Sequence, residues 1–358
     1  YLGGTAHIMV IPMNNKRITM SAIAAAAGVS QSTVSLVLNG STTIKLADET
    51  RRRVLEKAVE LGYQHKRAEH LPRGPSARKI AFVFNGLTSY DPFLDAINAC
   101  NERAWEADRM LVTFDYRNSA ELTRLIEQEI NQGDYLGMIF ASSMTRQLAE
   151  MELSPQVPTV LLNCYLEATS LPERYSILPA DKLAGYKVTA HLLDQGCKRV
   201  ALIQGEPWME ANSLRLEGYR QALINHDLIP EPQWVRVGNW SLHEAYEQTR
   251  QLLALPQPPD GIFCCSDYMA QGCYQAIAEA GLRIPEDILV AGHDNQMLAS
   301  EMEPPLSSIE LPYDEMGKQA VDTLLQLAQG EKPIALQMKL EGELLIRAST
   351  RGRPVNRL

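Results

Sequence analysis

The stretch AGVSQSTVSLVLNG, residues 27–40, predicts a helix whose first turn carries small polar side chains. Ser30 is a favourable N-cap for this helix, which runs through QSTVSLVL and ends at Asn39 and Gly40. A helix that only buries a core does not usually begin with Gln, Ser and Thr. We therefore expect this turn to contact something outside the protein.

Helices are predicted on both sides of this stretch. ITMSAIAAAAG, residues 18–28, favours a helix with Thr19 as N-cap and Gly28 at its C-terminal end. DETRRRVLEKAVELGY, residues 48–63, favours a third helix with an apolar stripe. Short helices joined by a glycine corner predict a helix-turn-helix, although alanine-rich helix pairs also occur as plain structural units.

The residues of the second helix suggest how such a unit would be used. In a helix-turn-helix this helix enters the major groove of DNA, with its N-terminal residues against base edges. Gln31 and Ser32 would then face bases, while Ser35 and Asn39 lie further along the helix.

Charge is unevenly distributed along the chain. Residues 14–79 carry 12 Lys and Arg against 5 Asp and Glu, whereas the whole chain has a formal net charge of −9. A basic segment on an acidic protein is typical of contact with a polyanion at one end. A basic face that is merely solvated is the plainer alternative, and the helix-turn-helix pattern favours DNA.

Beyond Lys79, short apolar runs such as KIAFVF, TVLLN and RVALIQG alternate with helical stretches such as LAGYKVTAHLLDQG. This alternation predicts an α/β fold, with a parallel sheet covered by helices on both faces. About 270 residues of the pattern is long for one sheet, so we expect two doubly wound lobes.

Ligands of open parallel sheets bind beyond the carboxyl ends of the strands. Polar residues at the ends of the predicted strands are therefore candidate ligand contacts: Asn85, Asp115, Ser142, Asn163, Ser266, Asp267, Asp294 and Asn295.

Several classes of protein are disfavoured by what the sequence lacks. It contains no phosphate-binding GxxxxGK[ST] loop, no GxSxG and no HExxH, so we expect no enzyme, cofactor or metal. The six cysteines form no C-x-x-C pair and are expected to be buried free thiols. No apolar run is long enough to span a membrane, and a cytoplasmic location is expected.

Composition divides the chain into segments. The expected segments are a tag or disordered leader (1–15), a helix-turn-helix domain (16–63), a cationic Pro- and Gly-containing linker (64–78), a two-lobed core (79–350) and a basic tail (351–358).

From residue 18 to about 350 the chain resembles the LacI/GalR family of bacterial transcription regulators. The motifs that carry the resemblance are AGVSQSTVSLVLNG, ETRRRVLEKAVELGY, AHLLDQGCKRVALIQG, RLEGYRQAL, PPDGIFCCSDYMAQG, AGLRIPEDILVAGHDN, PPLSSIELP and LLIRAST, in family order. The resemblance implies a homodimer whose headpieces bind a near-palindromic operator. It also implies a periplasmic-binding-protein-like core that holds a small effector between its lobes.

The resemblance also assigns residues to DNA. The positions implied to contact it are Thr19, Gln31, Ser32, Ser35, Leu36, Asn39 and Thr50, and Leu71 in the linker would wedge into the minor groove. Leu36 departs from the family, where an arginine that can contact guanine often stands. Pro72 follows Leu71 directly and disfavours a hinge helix there, and a short helix that ends before His70 or Leu71 is the alternative.

For the effector, the resemblance points to an arginine, an acid and an aromatic platform. Together with the strand-end residues it gives the candidates Tyr90, Phe93, Asn163, Arg215, Trp240, Ser266, Asp267 and Asp294. Side chains of this kind suit the hydroxyl groups and apolar face of a sugar, with sucrose or a related oligosaccharide as the finer expectation. Trp240 also fits a core residue, and Asp181 fits either a ligand contact or a helix cap.

The expected function is thus a transcriptional regulator, acting as a repressor, that is controlled by a sugar. A purine or nucleoside effector on the same architecture is the alternative. A stand-alone sugar-binding protein is the other alternative, against which the basic headpiece argues.

Overall fold

The computed structural model describes residues 8–11, 20–38, 50, 52–54, 57–58, 79–87, 91–167 and 174–351. The chain divides into two compact units. The smaller unit comprises Asn14–Ser76 together with Glu106–Asp108, and we call it the headpiece. The rest of the chain forms the larger unit, which we call the core.

The headpiece contains helices α1 (Met20–Ala27) and α2 (Gln31–Leu38). Gly28 between them has φ +65°, a left-handed conformation that glycine adopts without strain, and the Val29 amide donates to the Ala24 carbonyl at 3.0 Å. Ser30 Oγ accepts from the Thr33 amide at 3.1 Å, which confirms Ser30 as the N-cap of α2.

A small apolar core holds the headpiece helices together. Ile23 and Ala27 of α1 pack with Val34 and Val37 of α2. The described residues of the predicted third helix are helical, and two of them, Val54 and Ala58, complete this core.

The core unit is built from strands and helices that alternate along the chain. Its strands are β1 (Ile8–Ile11), β2 (Lys79–Phe84), β3 (Met110–Asp115), β4 (Tyr135–Leu148), β5 (Thr159–Leu166), β6 (Tyr175–Pro179), β7 (Val200–Gln204), β8 (Val235–Val237), β9 (Gly261–Cys264), β10 (Leu289–Asp294), β11 (Ser307–Glu310), β12 (Gln337–Leu340) and β13 (Leu344–Leu345). Its helices are α3 (Leu94–Glu106), α4 (Ala120–Gln132), α5 (Asp181–Asp194), α6 (Glu210–Asn225), α7 (Leu242–Leu253), α8 (Asp267–Glu279), α9 (Met297–Glu301) and α10 (Tyr313–Ala328).

The first lobe is formed by a parallel sheet with strand order β1-β12-β6-β5-β4-β2-β3. Strand β2 shows how it is packed, because its side chains alternate between the two faces. Ile80 and Phe82 join the apolar cluster under α3 and α10, while Ala81 and Val83 join the cluster under α4. Both faces are therefore buried, as expected for a parallel sheet.

The second lobe has the strand order β13-β11-β10-β9-β7-β8, and only the short pair β11–β13 is antiparallel within it. Helices α5 and α6 pack together, as do α7 and α8, and all four contribute to one apolar cluster with the sheet. The predicted α/β core of two doubly wound lobes is confirmed.

The sequence-based expectation differs from the structure at the start of the chain. Ile8–Ile11, inside the expected tag or disordered leader, forms a strand at the sheet edge, parallel to β12. The run IMVI is apolar and rich in β-branched residues, which favours a strand.

All six cysteines are free and buried, as the sequence predicted. Across the described ranges, no helix combines the length and the apolar character required to cross a membrane.

Candidate functional site

A buried ion pair lies where the two lobes meet. Arg215 of α6 is 5% exposed, and its Nε donates to Asp181 Oδ1 at 2.8 Å while its Nη1 donates to the Cys265 carbonyl at 2.8 Å. Asp181 lies in the first turn of α5, where the positive end of the helix dipole favours a carboxylate. The pair thus joins α5, α6 and the end of β9.

A hydroxyl from the first lobe extends this pair across the cleft. Thr145 Oγ1 lies 3.2 Å from Asp181 Oδ2 and 2.7 Å from Asn163 Oδ1. Thr145 reaches this position because the β4–β5 register shifts between Ala141 and Arg146. A bulge of this kind redirects a side chain without ending the strand pairing.

Asn163 lies within β5, is fully buried, and has a left-handed backbone conformation with φ +59°. Its Nδ2 donates to the Ser142 carbonyl at 3.0 Å and lies 3.3 Å from the Tyr313 hydroxyl. The amide therefore fixes the first-lobe wall of the cleft.

Asp294 ends β10 in an unusual backbone conformation, with φ +101°, and Asn295 follows at φ +50°. The Oδ1 atom of Asp294 lies 2.9 Å from Nδ1 of His293. Burial raises the pKa of Asp294 to about 7, against the lowering effect of Arg215. Burial likewise lowers the pKa of His293 well below its usual range, with Arg215 adding to the effect.

Trp240 lies against the same arginine. Its ring centroid is 6.0 Å from Arg215 Cζ, and its Nε1 donates to Met209 Sδ at 3.0 Å. A Cβ on Gly205 would lie 2.0 Å from the indole, so only glycine allows the ring to sit there. Trp240 has φ +58°, which is rare for a bulky residue and typical of functional sites.

An acidic cleft of about 240 Å³ opens between α3 of the first lobe and the end of β10. The charged residues that line it are Asp95, Glu102, Asp294, Glu310 and Asp314. Among the described residues, no cluster of His, Cys, Asp or Glu is suited to a metal ion.

The predicted effector residues are placed as follows. Arg215 and Asn163 are linked through Asp181 and Thr145. Trp240 lies against Arg215, and Asp294 lines the acidic cleft. Ser266 caps α8, since its Oγ accepts from the Met269 amide at 3.1 Å. Asp267 accepts from Ser308 Oγ at 2.6 Å and from the Gln296 amide at 2.8 Å.

Phe93 is fully buried in the core of the first lobe, edge-on to Tyr313 with ring centroids 5.2 Å apart, and does not line the acidic cleft. Tyr90 lies outside the described residues. Of the other strand-end candidates, Asn85 and Asp115 bond locally to Asn118 and Arg117.

The predicted DNA contacts are only partly described. Gln31 is exposed on the first turn of α2, and Thr50 is helical and half-buried. Ser32, Ser35 and Leu36 belong to α2, but their side chains lie outside the described part, as do Thr19, Asn39 and Leu71 altogether.

Sequence reasoning did not single out Thr145 or Tyr313. For Asp181 the helix-cap alternative is wrong, because Ala180 is the N-cap of α5 and the Asp181 carboxylate accepts from Arg215 instead. Thr145 depends on a register shift that no local sequence pattern shows.

A guanidinium, a carboxyl and an indole lie near one another in this part of the core, because Arg215 contacts the Trp240 ring and acts on the pKa of Asp294, which lines the acidic cleft. These groups suit a small molecule bearing several hydroxyl groups and an apolar face.

Family comparisons match two segments of the chain. Residues 19–65 match the model of bacterial regulatory proteins of the lacI family. Residues 189–350 match the periplasmic binding protein-like domain.

Two curated relatives match almost the whole chain. It is 30% identical to the ribose operon repressor of Haemophilus influenzae, covering 92% of this chain and 98% of that protein. It is 31% identical to the HTH-type transcriptional repressor CytR of Escherichia coli K12, covering 94% of this chain and 97% of that protein.

Two solved structures of transcription regulators are similar to this chain over most of its length. A transcriptional regulator CelR–cellobiose complex is 26% identical with a TM-score of 0.65, covering 93% of this chain and 100% of that one. The lac repressor dimer bound to operator is 26% identical with a TM-score of 0.64, covering 94% and 99%. The chain therefore belongs to the lacI family of bacterial regulatory proteins.

Proposed function

We propose that this protein is a sequence-specific DNA-binding repressor of transcription whose affinity for its operator is controlled by a small effector bound between the core lobes. The observation that carries the proposal is the combination of two features in one chain. A helix-turn-helix with a polar, exposed first turn precedes a core in which a buried polar cluster joins two lobes.

DNA contact is proposed for α2 and its flanks. Gln31 is exposed at the N-terminal end of α2, where a recognition helix meets base edges. Thr19, Ser32, Ser35, Leu36, Asn39 and Thr50 are proposed as further contacts, with Leu71 in the linker as a minor-groove contact. A homodimer is proposed with this arrangement, in which the two headpieces would bind two half-sites.

A sugar is the proposed effector class. Arg215, Asn163 and Asp294 offer donors and acceptors to hydroxyl groups, and Trp240 offers an apolar face. One neighbouring structure is titled as a cellobiose complex, and one relative is named for the ribose operon. A nucleoside or purine is the second candidate, because other relatives are named CytR and PurR and an indole also stacks on a base.

The test has two measurements on the full chain. Thermal-shift screening with sucrose, cellobiose, D-ribose, cytidine and hypoxanthine identifies the effector class, since a ligand that binds only the folded state raises Tm. Fluorescence anisotropy on promoter fragments, with and without the hit, measures control of DNA binding. A protein that binds no promoter fragment from its own genome under any of these conditions would contradict the proposal.

A further inference from the structure

His293 is buried beside Asp294 with one ring nitrogen unused. The residue is 1% exposed, Nδ1 faces Asp294 Oδ1 at 2.9 Å, and Nε2 has no hydrogen-bond partner among the described residues. A buried polar atom without a partner is uncommon and calls for an explanation.

The neighbouring glycine shows which way the imidazole points. A Cβ on Gly292 would face Asp267 and Leu306, on the side of the sheet that α8 covers. Because side chains alternate along a strand, His293 points to the opposite side, where α5 and α6 pack. Consistent with this, Arg215 of α6 and Asp181 of α5 both influence the pKa of His293.

This placement determines where the imidazole carries its proton. Burial and the nearby guanidinium lower the pKa of His293 and keep the ring neutral. A neutral ring has one N–H, and the carboxylate oxygen beside Nδ1 requires a donor there. When Asp294 is ionised, Nδ1–H therefore donates to it, and Nε2 keeps its lone pair.

We propose that His293 is a positioning residue for effector binding: its Nδ1–H bond fixes the Asp294 carboxylate in the cleft and favours its ionised form, which sets the pH at which effector affinity changes. This rests on the proposed function, in which Asp294 contacts the effector. Asp294 also has φ +101°, a backbone conformation that is uncommon for a residue other than glycine and that marks the end of β10 as a specialised site.

Several other titratable or charged groups lie around Asp294. Those that act on its charge from the packed elements are Arg215, Asp181, Asp91, Asp267, Cys265 and Tyr313. Asp95, Glu102, Glu310 and Asp314 line the same cleft. Of the residues described, His293 forms the hydrogen bond to the Asp294 side chain, so replacing it changes Asp294 most directly.

The sign of the pH dependence follows from the carboxylate. Burial raises the pKa of Asp294 to about 7, so the group loses its charge as pH falls through neutrality. Effector hydroxyls donate better to an ionised carboxylate. Effector affinity should therefore fall about tenfold for each pH unit below the midpoint. Removing the His293 donor raises the pKa of Asp294 further and moves the midpoint to higher pH.

The experiment compares His293→Phe, His293→Asn and the control His191→Asn in the full-length protein. His191 is another histidine of the second lobe, bonded to Thr350 Oγ1 at 2.8 Å away from the cleft. Calorimetric titration with sucrose, cellobiose and D-ribose from pH 5.5 to 8.5 gives the midpoint of each variant. We expect His293→Phe to raise the pH midpoint of effector binding by about one unit. His293→Asn keeps an amide donor and should raise the midpoint by less, and the His191→Asn control should match the wild type.

A purely structural role would lower effector affinity by the same factor at every pH, and that result would overturn the proposal.

A second measurement needs no effector. ¹⁵N-histidine NMR of the full chain reports the tautomer of His293, whose signals are assigned by their absence in His293→Phe. At pH 8.5, where Asp294 is ionised, a neutral Nδ1–H tautomer supports the proposal, and an Nε2–H tautomer overturns it. If none of the sugars binds, the proposed effector class fails, while the tautomer still decides the role of His293.

Discussion

At the scale of single residues, the buried pair Arg215–Asp181 supports the cleft. Breaking one side of a buried ion pair leaves an unpaired charge in a dry site and costs about 3–5 kcal/mol. We expect Arg215→Ala to lower the free energy of unfolding of the core by this amount in urea. Arg283→Ala breaks an exposed pair with Asp287 and should change it by less than about 1 kcal/mol. If both substitutions lowered the free energy of unfolding equally, the Arg215–Asp181 pair would not be shielded from water as its burial indicates.

Asp294 offers a second prediction, on stability and binding together. Its pKa is raised by burial to about 7, whereas an unfolded Asp titrates at about 3.9, so the folded protein binds the extra proton between these values. The wild type should therefore lose stability as pH rises through this window, and Asp294→Asn should not.

We expect Asp294→Asn to have the higher Tm at pH 8 and a similar Tm at pH 4, as measured by scanning calorimetry. Effector affinity should fall about 10- to 100-fold at pH 8, because each lost hydrogen bond to a charged group is worth about 1.5–3 kcal/mol. A lower Tm at pH 8 would contradict the assigned environment of this carboxyl.

At the scale of elements, α5 and α6 approach closely through two glycines. A Cβ on Gly185 would lie 2.2 Å from the Arg215 carbonyl oxygen, and one on Gly218 would lie 2.0 Å from the Lys182 carbonyl oxygen. Gly185→Ala should therefore push α6 away and pull Arg215 from Asp181.

Overpacking of this kind costs about 1–3 kcal/mol, which calorimetry of the core transition would detect. The effector response should weaken as well, since the displaced helix carries Arg215. Ala278→Gly on the exposed face of α8 provides a control that costs helix propensity, about 1 kcal/mol, without moving the arginine.

The cap of α2 gives a separate prediction for the headpiece. Ser30→Ala removes the acceptor of the Thr33 amide, which costs about 1 kcal/mol of helix stability. Operator affinity should fall while the Tm of the core transition stays unchanged. Ser30→Asn keeps a capping oxygen and should retain most of the affinity, so an Asn variant as weak as Ala would argue against a capping role.

The sequence predicted most elements of the core but not those with weak local patterns. Runs such as KIAFVF and RVALIQG are continuous apolar strands, and the structure places strands there. SSIE of β11 and QMKL of β12 are short and half polar, and they become strands because neighbouring strands supply their hydrogen bonds. Helices α4, α7 and α10 were not singled out from sequence, although all three are amphipathic.

The same limit applies to the cleft. Arg215, Asn163 and Asp294 follow motifs or strand ends and could be named in advance. Thr145 and Asp181 meet only because a register shift in one lobe faces a helix start in the other. Such tertiary contacts leave no trace in local patterns.

At the scale of the whole molecule, the two lobes are joined both by covalent crossovers and by side chains. The chain passes between them after β6, after β11 and after β12, and a Cβ on Gly342 in the last crossover would lie 1.9 Å from the Glu310 carbonyl oxygen. Across the cleft, Tyr165 donates to Glu210 at 2.8 Å and Thr145 lies near Asp181. Under the proposed function, an effector that binds two arrangements of the lobes with different affinity would shift the balance between them.

Charge separation along the chain gives the last prediction, on salt. The segment 14–79 is cationic while the chain as a whole carries −9, so an acidic core would repel DNA that the headpiece attracts. Each phosphate contact releases counterions, and the logarithm of the binding constant should fall with the logarithm of salt by about 0.9 per contact. We expect a steep slope for the full chain in anisotropy titrations between 50 and 200 mM salt, where six to ten contacts would cost about 10³–10⁵ in affinity. A fragment of residues 79–358 should bind no DNA even at the lowest salt, and a fragment that bound the operator with the same slope would place the DNA contacts in the core.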